Sequence, residues 1–370
     1  MTSARSVRLA TLLLAGALTL ALGSGPARAA AIIVGPGESI QGAIDTAPPG
    51  STIKVLPGDY VENHGGTYGL RITKSLKLIG LSKLPDVKVR ILPGPGQTDG
   101  IVIEPENPGD PDVRKVTLQG FTVEGFSNHG IWLRYVDRFK LIGNESINNL
   151  HNGIFPTLSA NGLVKRNVSY GALDAGLWVE ASENIRVIRN EIFNSPTGLE
   201  ITVSRNIQAK KNIVHHNTVG IGLYHPNAAS LPPLGNDGDW DIVGNYVHSN
   251  NFPNPVSGGL VGQIPSGGGI LVLGVDRVSL RKNQVVNNDF FGIALFDFCL
   301  AVGCSEPPIV ESAPDDNELI RNKVTGNGLN PPSGGFGILA ADVIYIGGGT
   351  GNCASRNEIG TFTGGLPECS

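Results

Sequence analysis

Glycine-led apolar segments recurring every 22 or 23 residues predict an all-β chain, a right-handed single-stranded parallel β-helix with an N-terminal amphipathic helix as its cap. Two further observations agree. One asparagine recurs at a fixed place in each unit, and Gly supplies 51 of 370 residues while aromatics make up 6%, a composition of many tight turns and few long helices.

The chain opens with Arg5 and Arg8, an apolar run from Leu9 to Leu22 and the small-residue stretch Ala27-Arg28-Ala29. That order is the grammar of a secretory signal peptide, so residues 1–29 are expected to be removed and the protein to be secreted. No later run reaches the roughly 20 apolar residues a membrane helix requires. Residues 30–370 are then expected to form one domain, with a cap over about 36–60, regular rungs over about 69–225 and loop-decorated rungs from about 226 to the end. A repeat array of this length stays a single unit because its core grows by stacking.

In the cap, Ser39 is placed to N-cap a short helix beginning at Ile40, followed by an apolar strand from Thr52 to Leu56. The rungs follow. Gly130, Gly153, Gly176, Gly198 and Gly220 each open an apolar alternation, and the series resumes at Gly269, Gly292 and Gly337. Three short strands per unit leave no chain for a crossover helix, which fits one coil of a solenoid whose parallel connections are right-handed. The second strand of each coil ends at Asn144, Asn167, Asn190, Asn212, Asn245, Asn283, Asn322 or Asn357. A residue of one type stacked at the same turn can hydrogen-bond along the axis and satisfy turn backbone, an asparagine ladder.

The run Ser39-Ile40-Gln41-Gly42-Ala43-Ile44, with Pro48-Pro49-Gly50-Ser51-Thr52-Ile53 and Pro57-Gly58-Asp59-Tyr60, resembles the cap and first rung of pectin-lyase-like β-helix proteins. The later units are similar to the repeats of mannuronan-epimerase-like and periplasmic copper-processing proteins. This resemblance implies that the outer face of the first strands carries a polysaccharide groove. The Asp-Pro-His segment of mannuronan epimerases, the Gly-His-Gly set of polygalacturonases and the Arg-x-Pro-x-x-Arg of pectate lyases do not occur here. The catalytic residues of those families therefore have no counterparts to inherit their roles.

Two outward columns line the expected groove. One carries Trp132, Phe155, Trp178, Glu200 and Gly222, the other Glu104, Arg134, Thr157, Glu180 and Tyr224. Trp132, Phe155 and Trp178 read as an exposed aromatic strip for sugar faces, with Glu104 beside it, and Gly222 as leaving room at one end. Insertions at 225–240, 252–268 and 298–316 are expected to cover the apolar outward positions Leu271, Leu273, Ala294 and Phe296.

Three functions compete. A lyase or epimerase acting on an acidic polysaccharide needs a base and a cation beside the uronate, for which Arg134, Tyr224, His225, His129 and His151 are candidates, although turn capping competes for the last two. A glycoside hydrolase would pair Glu180 with Glu200, against the plainer reading of two solvated surface glutamates. A non-catalytic carbohydrate-binding scaffold would use the aromatics alone.

Asp237, Asp239 and Asp241 alternate as in hard-cation loops, which makes Ca²⁺ the cofactor to consider, with a structural turn as the competing reading; His248 at the twelfth position excludes an EF-hand. The four cysteines of an exported chain are paired in sequence order, Cys299 with Cys304 and Cys353 with Cys369. A formal net charge of −4 gives no footprint for nucleic acid or an anionic membrane, and a monomer is expected.

Overall fold

A coil of this chain is three short strands joined at bends. In the coil that starts at Ile131, the strands are Ile131–Arg134, Val136–Ile142 and Glu145–Ile147, and Ile154–Thr157 begins the next. Each strand pairs in parallel with its equivalent one coil on, as Ile131 with Ile154, Leu141 with Val164 and Ser146 with Ser169. Repetition builds a first sheet of 11 strands, a second of 12 and a third of 11. The computed structural model describes residues 31–82, 87–225, 238–259, 261–303, 311–333 and 335–370, with only the backbone at 335 and 336. The expected leader, Asp237 and Cys304 lie outside the described residues.

Inward side chains of the three sheets stack into one apolar column from Val34 to Val343. The repeated glycine answers to packing inside the bend. A Cβ on Gly153 would sit 2.0 Å from Ser169 Oγ and 2.4 Å from the carbonyl oxygen of Gly176, so only glycine lets adjacent coils close there.

The asparagine ladder runs through all eight predicted positions. Asn167 Nδ2, for instance, donates to Leu141 O (3.1 Å) and to Asn190 Oδ1 (3.0 Å), while Asn167 N donates to the same Oδ1 (2.9 Å). A second ladder, unforeseen, lies five residues further along each coil. Asn217, Asn250, Asn288 and Asn327 link by side-chain hydrogen bonds, and Asn327 hands on to Asp342.

The helix α1, Ile40–Thr46, packs on strands Ile32–Val34, Thr52–Val55 and Tyr68–Ile72, burying Ile40 and Ile44. Ser39 Oγ accepts from Gly42 N, and Glu62 accepts from Ser39 Oγ (2.7 Å) and Ile40 N (2.6 Å), so a carboxylate sits on the helix N-terminus.

At the far end, the outer face of the first sheet is covered. Leu273, Phe291, Ala294, Phe296 and Ile344 form a second apolar cluster, joined by Ile264 and by Phe298, Cys299, Ala301 and Val302 of α2, Phe298–Val302. The segment around Gly337 corrects the sequence reading. Gly335–Leu339 is a 3₁₀ turn with Ile338 87% exposed, and the rung strand is Ala341–Ile346. An apolar Gly-Ile-Leu string inside an insertion imitates the repeat.

Cys353 and Cys369 are bonded, fastening the tail across the last coil where Ala354 N donates to Pro367 O (2.9 Å). Cys299 is also disulfide-bonded. Because the Cys353–Cys369 bond closes a 16-residue separation, its loss should cost the tail about 3 kcal/mol in the chain-entropy account. Reduction is expected to open protease cleavage after about residue 360 while leaving coils 130–290 protected; equal release of both regions would refute this.

Candidate functional site

The register places the two outward columns as the sequence predicts. Trp132 pairs with Phe155, Trp178 with Glu200 and Glu200 with Gly222; Arg134 pairs with Thr157, Thr157 with Glu180, Glu180 with Thr202 and Thr202 with Tyr224.

The aromatic strip is less open than expected. Phe155 is 6% exposed, because rungs about 4.8 Å apart bring in-register rings to stacking distance. The Phe155 and Trp178 rings stack at 4.6 Å, and the His129 ring lies 5.2 Å from Phe155 and 5.0 Å from Trp132. His129 is thus part of the aromatic floor, and burial, helped by His151, pushes its pKa down to about 3, so its ring is neutral. Trp132 and Trp178 remain half-buried; Trp178 Nε1 donates to Thr202 Oγ1 (2.8 Å).

Arg134 and Glu104 meet each other rather than the other candidates. Glu104 accepts from Arg134 Nη2 (2.6 Å) and from Arg71 Nε (3.0 Å), and the Arg134 guanidinium lies 4.8 Å from the Trp132 ring centre. The strongest cation of the groove is therefore neutralised two strands away from Glu180.

The centre of the site is a carboxylate cluster. Glu200 is 8% exposed, which corrects the reading of two solvated glutamates. Burial first, and then the charges of Asp174 and Glu180, raise its pKa well above the usual carboxylate value. Glu180 is raised by burial and by Asp174, against a hydrogen bond from Thr157 Oγ1 (2.9 Å) to its Oε2. Asp174 is raised by burial, opposed by His151, whose Nε2 lies 3.7 Å from its Oδ2.

Tyr224 closes the cluster. The ring folds back over Gly222, where a Cβ would meet its Cζ and Oη at 2.3 Å, so the space expected at Gly222 is already filled. Gly222 is the partner of Glu200, hence the hydroxyl is delivered beside that carboxyl. Burial and then Glu200 raise the Tyr224 pKa, keeping the phenol protonated. His129 Nδ1 and Trp132 Nε1 are buried with no hydrogen-bond partner among the described residues, whereas the Thr197 hydroxyl bears on Glu200 and Tyr224. Unpaired buried donors and acceptors on one face suit a polar ligand that supplies the missing bonds.

His225 lies elsewhere: its amide donates to Leu273 O (3.1 Å) and its charge acts on Asp276. Of the expected cation loop, Asp239 and Asp241 are among the described residues and Asp237 is not. Asp239 accepts from Arg277 Nε (3.1 Å), and Asp241 is paired with Arg281 and Lys210, so both described carboxylates are neutralised by cations of neighbouring strands. A different trio, Asp276, Glu311 and Asp315, brings its oxygens within 4.8 Å of one another.

Sequence reasoning missed Asp174, Thr197 and the inward lie of His129. Asp174 occupies the turn place that His151 holds one coil earlier, its amide donating to His151 O (3.1 Å), and that alignment was the available signal.

Residues 94–231 match the Beta_helix family, described as the right handed beta helix region. Among solved structures, the A-module of the Azotobacter vinelandii mannuronan C-5 epimerase AlgE4 is similar, with TM-score 0.61, 14% identity and coverage of 88% of this chain and 93% of that one. DFA-IIIase from Arthrobacter chlorophenolicus A6 gives TM-score 0.54 and 14% identity over 89% of this chain and 79% of that one. A double mutant of the periplasmic alginate epimerase AlgG gives TM-score 0.51 and 14% identity over 88% and 83%. No curated protein sequence matches the chain. Its glycine-led coils, three parallel sheets and axial asparagine ladder give this chain the fold of a right-handed parallel β-helix, in line with the family match over residues 94–231.

Proposed function

We propose that this chain is a secreted carbohydrate-active enzyme that hydrolyses a glycosidic bond, with Glu200 as general acid and Glu180 as the second carboxylate. The observation carrying this reading is the burial of the Glu200 carboxyl beside Asp174 and Glu180 on the groove floor. Two carboxyls whose surroundings separate their affinities for protons are what glycoside hydrolysis requires, one protonated to release the leaving oxygen and one ionised to attack or to activate water. Trp178 would stack on a sugar ring, and Trp132 Nε1 and His129 Nδ1 would bond its hydroxyls. Export is supported by the leader read at residues 1–29 and by the disulfides.

Lyase or epimerase action on an acidic polysaccharide is the second reading. It draws on the names of the epimerase neighbours and on the His151–Asp174 contact, which could hold a base. It is disfavoured at the cluster, where three carboxyls face one another and Arg134 is tied to Glu104.

The covered cluster begins at Tyr224, one strand beyond Glu200, while five strands lie on the other side of Glu200 as far as Arg71. At about 4.8 Å per rung, about one sugar fits on the short side and about five on the long side. Incubated with pectate, alginate and neutral glycans, the protein is expected to release reducing ends as short oligosaccharides from the outset, without gain of unsaturated-uronate absorbance. Absorbance gain would transfer the assignment to the lyase reading. Silence in both channels, with binding lost in Trp178→Ala, would make this a scaffold.

A further inference from the structure

The bend between the second and third sheets is turned in each regular coil by one residue in the left-handed region, immediately before the ladder asparagine. In chain order these are Gly143, Arg166, Arg189, Lys211, Gly244, Lys282, Arg321 and Arg356, all with φ between 55° and 64°. Left-handed backbone favours glycine and asparagine, whose side chains escape the Cβ clash. The other two bends follow that rule more closely, with Asn148, Gly171 and Asn194 at one and Asn161, Asn184 and Asn206 at the other. At this bend alone, six of the eight positions carry arginine or lysine. The backbone is thus held in a strained conformation with a residue that turn sterics do not select, and such departures mark sites where the side chain matters.

All six side chains are exposed, and among the described residues none has an ion-pair or hydrogen-bond partner. Acidic groups close by are already matched: Glu191 with His215 (3.3 Å), Glu358 with Lys323 (2.9 Å) and Asp241 with Lys210 (3.5 Å). The result is a straight, uncompensated row with one cation per rung, interrupted at Gly244, spanning about 29 Å at the rung spacing. The formal net charge of −4 gives no hint of it.

We propose that this row is a binding rail for a linear acidic polysaccharide bearing about one carboxylate per sugar, separate from the groove on the first sheet. A pyranose unit is close to one rung in length, so carboxylates of an extended polyuronate can meet successive guanidinium and ammonium groups in register. Duplex nucleic acid presents its phosphates on curved rims and would touch a straight row at few points, and an anionic membrane calls for a broad face rather than a line. The rail does not rest on the hydrolase reading, since neither its residues nor its sheets are those of the carboxylate cluster.

The test is calorimetric titration of the full chain with polygalacturonate, with dextran as the uncharged polymer and oligo-deoxythymidine as a polyanion of different spacing. The parent is expected to bind polygalacturonate in a salt-dependent manner and to ignore dextran. The triple variant Arg166→Asn, Arg189→Asn, Lys211→Asn should bind about tenfold more weakly, the sum of three exposed charge pairs, with a shallower salt dependence. Asparagine suits the left-handed backbone, so this variant should melt no lower than the parent; Lys282→Asn, Arg321→Asn, Arg356→Asn provides an independent second set. Lys77→Gln, Lys115→Gln, Lys140→Gln, which removes equal charge from elsewhere on the second-sheet side, and Trp178→Ala in the groove should both retain rail binding. Absence of polygalacturonate binding, equal loss in the Lys77 set, or oligo-deoxythymidine binding as tight as polygalacturonate would overturn the proposal.

Discussion

Glu200→Gln is expected to reduce glycan hydrolysis by about 10²–10⁴-fold, the range general acid catalysis supplies, while raising the melting temperature at neutral pH. The two effects share one cause. Glu200 is buried between Asp174 and Glu180, and its folded-state pKa is raised. For a carboxyl raised in this way, the stabilising contribution is fully present below the unfolded-state value and is lost as pH rises through the folded-state value. At neutral pH the fold therefore either holds a buried charge beside two others or keeps the proton against the solution. The amide of glutamine fills the same space with no charge to bury, so the variant gains most above the folded-state value and converges with the parent in acid.

The same titration governs activity. Protonated Glu200 is required to donate, so the rate should fall as pH rises through its raised pKa, and the need for an ionised partner should make it fall again on strong acidification. The three carboxyls titrate as a set, so the profile reports the cluster rather than single residues. A bell-shaped profile bounded by the titrations of the carboxyl cluster is expected. Full activity in Glu200→Gln, or a flat profile across the carboxylate range, would remove Glu200 from the acid role.

How far the site was legible follows from which interactions repeat. Outward columns could be read because period-2 alternation and a coil of constant length fix the register, and Trp178 does meet Glu200 across one rung. Burial could not be read in the same way. Phe155 is hidden because neighbouring rungs also present rings, and Glu200 because the Tyr224 ring swings back over Gly222, a rotamer choice absent from any spacing rule. Asp174 lies in a turn, where the strand pattern is silent. The second ladder, by contrast, was written plainly in Asn212/Asn217, Asn245/Asn250 and Asn283/Asn288, a repeated offset of five that passes unnoticed once the first ladder has been assigned. Cys353 and Cys369 are easy to pair because each has few candidates in a small tail.

Replacing Asn190 by alanine is expected to cost about 3–5 kcal/mol, from two or more buried groups losing partners at about 1–3 kcal/mol each. Asn190 is 1% exposed. Its Nδ2 donates to Val164 O (3.1 Å) and Asn212 Oδ1 (3.0 Å), and its Oδ1 accepts from Asn167 N (2.9 Å) and Asn167 Nδ2 (3.0 Å). Alanine would strand Val164 O and Asn167 N between coils that admit no water in compensation. Asn184, whose Nδ2 reaches Asn161 Oδ1 at 3.3 Å and whose Oδ1 accepts from Asn206 Nδ2 (2.6 Å) on the exposed left-handed bend, should cost about 1–2 kcal/mol when changed to alanine. Position along the axis matters too. A solenoid is held by nearest-neighbour interfaces, so a break at Asn190 weakens the joint between two long halves, whereas Asn357→Ala at the end of the ladder loosens only the last coil. Urea denaturation should rank the variants Asn190, Asn357, Asn184 from most to least destabilised. An Asn190→Ala midpoint no lower than that of Asn184→Ala would mean that apolar stacking alone fixes the coil register and that the ladder merely follows it.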